Sequence, residues 1–268
     1  MKELILLKWR IKNRFGVDLR PYRGNFIERR IKSRLFSTHT DNLSQYLAFL
    51  DEHPEEYDKL AKALLINVTK FFRQEAVWRK INYLIREIVE ERWRKNRKRI
   101  RFWSAGCATG EESYSLAMLL SEALGDNLED FYPKIYASDL DESALSIAEN
   151  AIYDWEKVKD VGNKLQKKYF EKVGEKYRVN EEIKKFIDFQ KLNLFSSSPF
   201  KFVDLVLCRN VLIYFSKEGQ EKIVSNIFDS LKPNGYLVLG EVESLPFSLG
   251  ESFLPLYPKL RIFQKIRY

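Results

Sequence analysis

The periodicity of this chain changes at residue 100, and that change limits what it can fold into. Before it, apolar residues recur at helical spacing. ELILLKWRIKNRF, FIERRIKSRLF, NLSQYLAFLDE, EEYDKLAKALLINV and QEAVWRKINYLIREIVEERWRKN read as five amphipathic helices, with no strand pattern among them. Asp41 is the expected cap of the third, and Pro54 stands where the fourth begins. The fifth ends in a basic run that reads as solvated surface. After residue 100 strands and helices alternate. IRFWSAG, KIYASD, FIDFQKLNL, VDLVLCRN, GYLVLGE and LRIFQKI read as strands; EESYSLAMLLSEALG, DESALSIAENA and KEGQEKIVSNIFDSLK read as helices. That rhythm predicts an α/β domain, a mostly parallel sheet with helices on both faces. The division expected is a helical domain over 1–75, a linking helix over 76–99, and the α/β domain over 100–268. A polar, Lys-rich segment interrupts it at 157–182.

Charge is placed unevenly. The net charge is +8, and residues 1–40 carry all of it, with eleven Lys/Arg against three Asp/Glu. A local partner surface is the expectation, rather than a generally cationic protein. The two cysteines, Cys107 and Cys208, exclude a disulfide framework and suggest a reducing compartment. The two histidines, His39 and His53, both precede the α/β region, so neither a zinc cluster nor a His-based triad is expected there. No apolar run approaches a membrane span, and MKELILLKWR is too short in its apolar part for a secretory signal. The chain is therefore expected to be cytoplasmic, without membrane insertion.

In an open α/β sheet, ligands bind beyond the carboxyl ends of the strands. SAGCATGEE follows the first strand, where Gly106 and Gly110 let the backbone come close to a ligand and the helix N-terminus offers free N–H groups. The spacing is not G-x-G-x-x-G, which disfavours a dinucleotide site. Glu112 could equally close a capping box with Thr109. Asp139 ends the second strand, where a carboxylate takes ribose hydroxyls; Asp141 is the better cap for the next helix. Asn193 and Leu194 follow the third strand. Arg209 and Asn210 follow the fourth, either facing a ligand or anchoring the loop. NVTKFFR, at 67–73, interleaves Asn67, Thr69 and Arg73 with Phe71 and Phe72; pattern alone makes it a helix cap with an aromatic plug.

Taken together and in order, NVTKFFR, WSAGCATGEESYSLAM, IYASDLDESAL with AIYDW, and LVLCRNVLIYF with GEVESL resemble the CheR-type methyltransferases, from about residue 10 to 250. These are S-adenosylmethionine-dependent enzymes that methylate glutamates of chemotaxis receptors and release S-adenosylhomocysteine. The resemblance implies an all-helical N-terminal domain, then a Rossmann-like class I methyltransferase sheet carrying a small β-subdomain over 157–192. It implies that Asn67, Thr69 and Arg73 line the cofactor and transfer site, and that Gly106 and Glu112 lie at the cofactor's amino-acid end. Asp139 would take the ribose, Asn193 and Leu194 the adenine side. Arg209 and Asn210 would complete the pocket, with Tyr214 near the methyl group. Arg73 and Tyr214 are the candidate catalytic residues, and no metal is expected. Ala108 and Ser113 stand where the family usually has Ser and Pro, and Gly240-Glu241-Val242-Glu243 where it has G-H-S-E.

A glutamate carboxylate is ionised at neutral pH, so the absence of His from the catalytic region suits this chemistry. A nucleic-acid methyltransferase is disfavoured, because Arg209-Asn210-Val211-Leu212 replaces the Asn/Asp-Pro-Pro-aromatic motif of adenine N-methyltransferases. A non-catalytic scaffold is disfavoured by Arg73, Asp139 and Tyr214. The expected partner is the cytoplasmic helix bundle of a methyl-accepting receptor, docked on Arg29, Arg30, Lys32 and Arg34, with Phe26, Ile27, Ile31, Leu35 and Phe36 as the core face. YFEKVGEKYRVNEEI, with its single Gly174, suggests no tether to a receptor C-terminal pentapeptide. A monomer is expected.

Overall fold

The computed structural model describes residues 2–266, and its first body holds the residues up to Ile66 together with Ile213–Gln220. Its helices are α1 (Lys2–Phe15), α2 (Gly24–Ser37), α3 (Leu43–Glu52) and α4 (Glu56–Leu64). Helix α2 packs on α4, and α1 on α3 and α4. The segment at 213–220 is tied to the loop before α2. Arg23 donates from N to the Tyr214 carbonyl (2.9 Å) and from Nε to the Phe215 carbonyl (3.0 Å). The Tyr214 ring lies 5.1 Å from that of Phe26.

Two expectations are corrected in this body, the cap of α3 and the place of Phe36. Asn42, not Asp41, caps α3; its side chain accepts from the Gln45 amide. Arg34, expected to dock, is engaged inside the body. Its Nε and Nη2 both donate to buried Glu56 at 2.8 Å, and Tyr46 adds a third bond at 2.9 Å. Burial alone would raise the Glu56 carboxyl, but Arg34 and Tyr46 together hold it below its ordinary value. The bidentate geometry suits guanidinium and carboxylate, and losing one partner would strand the other charge in the core. Arg30 spends its guanidinium over the Phe26 ring at 5.5 Å. Phe36, expected in the core, is 84% exposed, whereas Phe26, Ile27 and Ile31 are buried. Arg29 and Lys32 are exposed.

The second body runs from Asn67 to Leu212 and from Glu221 onward. It opens with α5 (Glu75–Arg94), then β1 (Arg99–Ala105), α6 (Glu111–Leu124), β2 (Tyr132–Asp139) and α7 (Glu142–Asn150). A small unit follows: β3 (Ile152–Asp154), α8 (Trp155–Val158), α9 (Asn163–Tyr169), β4 (Phe170–Val173), β5 (Lys176–Val179) and α10 (Glu181–Lys184). The chain returns to the main sheet with β6 (Ile187–Lys191), β7 (Val203–Cys208), α11 (Lys217–Ser230), β8 (Leu231–Leu239), β9 (Phe253–Tyr257) and β10 (Ile262–Lys265). The main sheet has the order β6-β2-β1-β7-β8-β10-β9. Its first five strands are parallel, and β10 runs antiparallel to β8 and β9. All six residues of β7 are buried, as a strand covered on both faces requires.

This architecture, a helical body followed by a class I methyltransferase sheet with a small antiparallel sheet, is the fold the sequence implied. Helix α5 packs its apolar stripe, Trp78, Ile81, Leu84, Ile85 and Ile88, on α6 and β1. Each fully buried Ile or Leu contributes roughly 1.5–3 kcal/mol. That packing groups α5 with the sheet, so the bodies part between Ile66 and Asn67, where the sequence division fell at 75/76 with a linking helix beyond. The small sheet, in the order β3-β5-β4, begins at Ile152, ahead of the expected insertion start, and β6 within the expected insertion belongs to the main sheet. Glu122 of α6 anchors this unit, accepting from Lys164 (2.9 Å), Lys168 (2.6 Å) and the Tyr169 hydroxyl (2.9 Å).

Candidate active site

The turn from β1 to α6 is fixed by its backbone. Gly106, at φ +77°, and Cys107 both donate their amides to the Ser138 carbonyl, at 2.8 and 3.0 Å. A Cβ on Gly106 would stand 2.6 Å from Cγ2 of Val211, so glycine is needed to let the loop after β7 close in. Gly110, at φ +92°, is the N-cap of α6 and packs against Ala148. The capping box does not form. The Thr109 hydroxyl donates to Glu111 (2.7 Å), and Glu112 turns back to accept from the Ser104 hydroxyl of β1 (2.8 Å).

Asp139 stands at the end of β2. One of its oxygens accepts from the Ala108 amide (2.8 Å), the other from the Asp141 amide (3.0 Å). Asp141 caps α7 as expected, accepting from the Ser143 and Ala144 amides, and also takes the Asn67 amide group at 2.6 Å. Burial pushes the Asp139 carboxyl up. It does the same to Glu112, opposed by the Arg209 guanidinium and assisted by Glu243. Beyond β6, Asn193 folds its side chain onto the Phe195 amide (3.0 Å), and the Leu194 carbonyl accepts from Asn226 (2.9 Å).

Arg209 is 6% exposed; both terminal nitrogens meet protein groups, while its buried Nε has no hydrogen-bond partner. Nη1 reaches Glu112 at 3.3 Å; Nη2 reaches the Arg73 carbonyl at 2.8 Å and Gln74 Oε1 at 2.6 Å. One guanidinium thus braces the glycine-loop helix against the 67–74 segment. Gln74 continues the brace, donating to Glu241 at 2.5 Å. Phe72 (φ +49°) and Gln74 (φ +64°) hold left-handed backbone here, an unfavourable conformation for both side chains. The aromatic plug reading holds for Phe71, which is buried with its ring edge-on to Tyr153 and Phe170. The Lys157 ammonium joins the same segment, donating to the Thr69 carbonyl (3.0 Å) and to fully buried Glu111 (2.7 Å).

Asn210 also sits at positive φ (+60°). It is held by Glu243, 3% exposed, whose carboxylate accepts three backbone amides: Asn210 (2.9 Å), Gly240 (2.5 Å) and Leu212 (2.7 Å). A Cβ on Gly240 would stand 2.6 Å from that carboxylate.

Gly106, Glu112, Asp139, Arg209 and Asn210 thus lie at the carboxyl ends of β1, β2 and β7 in separate bonded groups, one of which takes in Asn67 through Asp141 and another Arg73 through Arg209. Asn193 and Leu194 lie beside it, where the Leu192 amide donates to the Asp139 carbonyl (2.9 Å). Thr69 enters through its carbonyl. Among the described residues the Arg73 guanidinium meets only the Val68 carbonyl, at 3.4 Å. Tyr214 belongs to the first body. Sequence reading missed Glu243, Gln74, Ser104 and the Glu111–Lys157 pair. Ser104 and Glu111 lay within SAGCATGEE, and Glu243 closed the Gly240-Glu241-Val242-Glu243 stretch, but none was singled out for a role. Among the described residues no group of His, Cys, Asp and Glu could hold a metal ion, and no helix is long and apolar enough to cross a membrane.

The family model described as CheR methyltransferase, SAM binding domain, matches residues 67–256, and that described as CheR methyltransferase, all-alpha domain, matches residues 2–65. A chemotaxis protein methyltransferase of Borreliella burgdorferi is 32% identical over 88% of this chain and 85% of its own. Chemotaxis protein methyltransferase 2 of Pseudomonas aeruginosa is 31% identical over 85% and 81%. The Escherichia coli chemotaxis protein methyltransferase is 31% identical over 87% and 81%.

Proposed function

The chain belongs to the CheR methyltransferase family, and from that premise we propose that it transfers a methyl group from S-adenosylmethionine to glutamate side chains of chemotaxis receptors. The observation that carries the reading is electrostatic. The strand-end network holds two half-buried carboxylates, Asp139 and Glu112, both pushed up by burial, against the single Arg209 guanidinium. Such a site favours a cation, and the cofactor carries an ammonium and a sulfonium. The residues fit the cofactor: the Asp139 carboxylate would accept from ribose hydroxyls and Glu112 from the ammonium group, with Asn193 and Leu194 beside the adenine. When bound, the cofactor supplies an electrophilic methyl group.

The protein's own task is orientation. The substrate glutamate is ionised at neutral pH (ordinary pKa about 4.3) and needs no general base. Alignment and exclusion of water can lower a barrier by roughly 7–11 kcal/mol. Arg73 has donors to spare, and it holds the substrate carboxylate. Arg209 acts through others: it opposes the rise that burial imposes on the Glu112 carboxyl and fixes the backbone of Arg73. Asn67 orients Asp141. Receptor helices dock on exposed Arg29 and Lys32 of α2, an attraction screened over about 8 Å at physiological ionic strength. The β4–β5 hairpin is short, with Gly174 at φ +61° in its turn, which supports action without a pentapeptide tether. The enzyme works as a monomer.

The test is transfer of labelled methyl from S-adenosylmethionine to purified receptor cytoplasmic fragments, read as base-labile label released as methanol. Arg73→Ala is expected to cut turnover far more than S-adenosylhomocysteine affinity. Tyr214→Phe tests the second expected catalytic residue in the same assay. Label that resists base, or that enters nucleic acid instead, overturns the glutamate ester reading.

A further inference from the structure

The second body has another end. At the amino-terminal edge of the sheet, where β1, β2 and β7 begin, lies a cleft of about 430 Å³ lined by Arg97, Lys98, Arg99, Arg101, Tyr132 and Phe202. The sequence there is unlike the rest of the body. Between Arg92 and Arg101 stand seven Lys/Arg and no Asp or Glu. The cleft's single carboxylate, Asp204, is already neutralised. One oxygen takes Arg92 and Lys232, each at 2.5 Å, and the other accepts the Arg101 amide at 2.8 Å.

Arg97, Lys98, Arg99 and Arg101 thus line one cleft, and none of them makes an ion pair among the described residues. Lys98 turns to ring faces instead, 4.0 Å from Trp93 and 5.1 Å from Phe131. Arg101 has only the Lys201 carbonyl, at 3.2 Å. Unpaired cations gathered in one cleft repel each other, and an anion relieves that repulsion.

The aromatic residues are the second observation. Tyr132 and Phe202 are each 69% exposed at the rim. Phe202 also sits at φ +56°, a left-handed conformation that a bulky residue adopts at a cost. An exposed ring held on strained backbone beside a cation cluster suits stacking on a flat heterocycle. Guanidinium forks suit phosphate oxygens.

We propose that this cleft binds a purine nucleotide, its phosphates held by Arg97, Arg99 and Arg101 and its base stacked on Phe202 or Tyr132. The volume is that of a small-molecule site, and the cations converge in it rather than running along a face as a polymer would need. The site is separate from the methyl-transfer site. Seven-residue β1 joins the two, with Arg99 at one end and Ala105 at the other, so they lie on the order of 20 Å apart.

The full chain is titrated calorimetrically with ATP at low salt, with and without saturating S-adenosylhomocysteine, and with inorganic triphosphate and oligouridine as controls. One ATP per chain is expected, unaffected by S-adenosylhomocysteine, with triphosphate about tenfold weaker for want of a base. The double variant Arg97→Ala/Arg99→Ala is expected to weaken ATP by about thirtyfold or more. Phe202→Gly, which accepts the positive φ, is expected to weaken it about fivefold without loss of thermal stability. Both variants keep wild-type S-adenosylhomocysteine affinity, a readout that general unfolding would not spare. Displacement of ATP by S-adenosylhomocysteine, equal affinity for triphosphate, indifference to the double variant, or binding of oligouridine but not ATP each overturns the assignment.

Discussion

Replacing Glu243 by Gln tests how far the 209–212 loop depends on one buried carboxylate. In the wild type Oε2 accepts the amides of Asn210 and Gly240, and Oε1 accepts that of Leu212. Glutamine has one acceptor oxygen. Its best arrangement keeps the Asn210 and Gly240 bonds and turns an NH₂ group toward the Leu212 N–H, two donors face to face. The loss of one charge-assisted bond costs about 1.5–3 kcal/mol, and an unsatisfied buried donor adds roughly 1–3. The two retained bonds weaken as the charge goes. A destabilisation of about 3–5 kcal/mol follows, or about 6–20 °C in melting temperature for a body of this size. Hydrogen exchange locates the damage. The Leu212 amide loses protection, while the Gly106 and Cys107 amides, bonded to the Ser138 carbonyl, keep theirs. S-adenosylhomocysteine affinity falls about tenfold as Asn210 leaves its positive φ. A Glu243→Gln protein with wild-type melting and unchanged protection at Leu212 refutes the reasoning.

Asp139→Asn is expected to weaken S-adenosylhomocysteine by about 1.5–3 kcal/mol, roughly 10–150-fold, with the fold intact, by calorimetry and circular dichroism. Lys168 and Lys164, working against burial, hold the Glu122 carboxyl down at about 2. Its contribution is therefore complete above the ordinary carboxylate range and is lost as pH falls from about 5 toward 2. Glu122→Gln should remove about 1 kcal/mol, since both lysines are largely solvated, and hydrogen exchange should show α9 loosened. Arg34→Ala should destabilise the helical body by about 3–5 kcal/mol by stranding Glu56. Arg29→Glu/Lys32→Glu should leave melting unchanged and raise the KM for receptor fragments, most at low salt; an unchanged KM removes α2 from docking.

What the sequence made legible is what depends on local pattern. Gly106, Asp139, Arg209 and Asn210 fall at strand ends as read, because strand ends are legible from apolar runs. Asp141 was found as a cap because capping acts within three residues. Glu243 was not recognised as an anchor, because its amides come from residues 31 and 33 positions earlier as well as from Gly240. The Arg34–Glu56 pair was hidden for the same reason: the basic neighbours of Arg34 are adjacent, while Glu56 is 22 residues on. Arg209 reads as a ligand contact or a loop anchor, and its terminal nitrogens go to Glu112, Arg73 and Gln74, which are 97, 136 and 135 residues away. Strand β9 escaped because FLPLY carries Pro255, whose missing N–H an edge strand tolerates.

Lys157 has a consequence for exchanging parts between relatives. It belongs to the short helix α8 of the small unit, yet its ammonium ends between the Thr69 carbonyl and the buried Glu111 at the root of α6. A transplant that swaps the small unit and brings in a neutral residue here leaves a carboxylate sealed in the core with only Thr109 for company. The unit is therefore not a detachable module from Ile152 onward. A graft that respects the catalytic half must cut after Lys157, or carry Glu111 across with it.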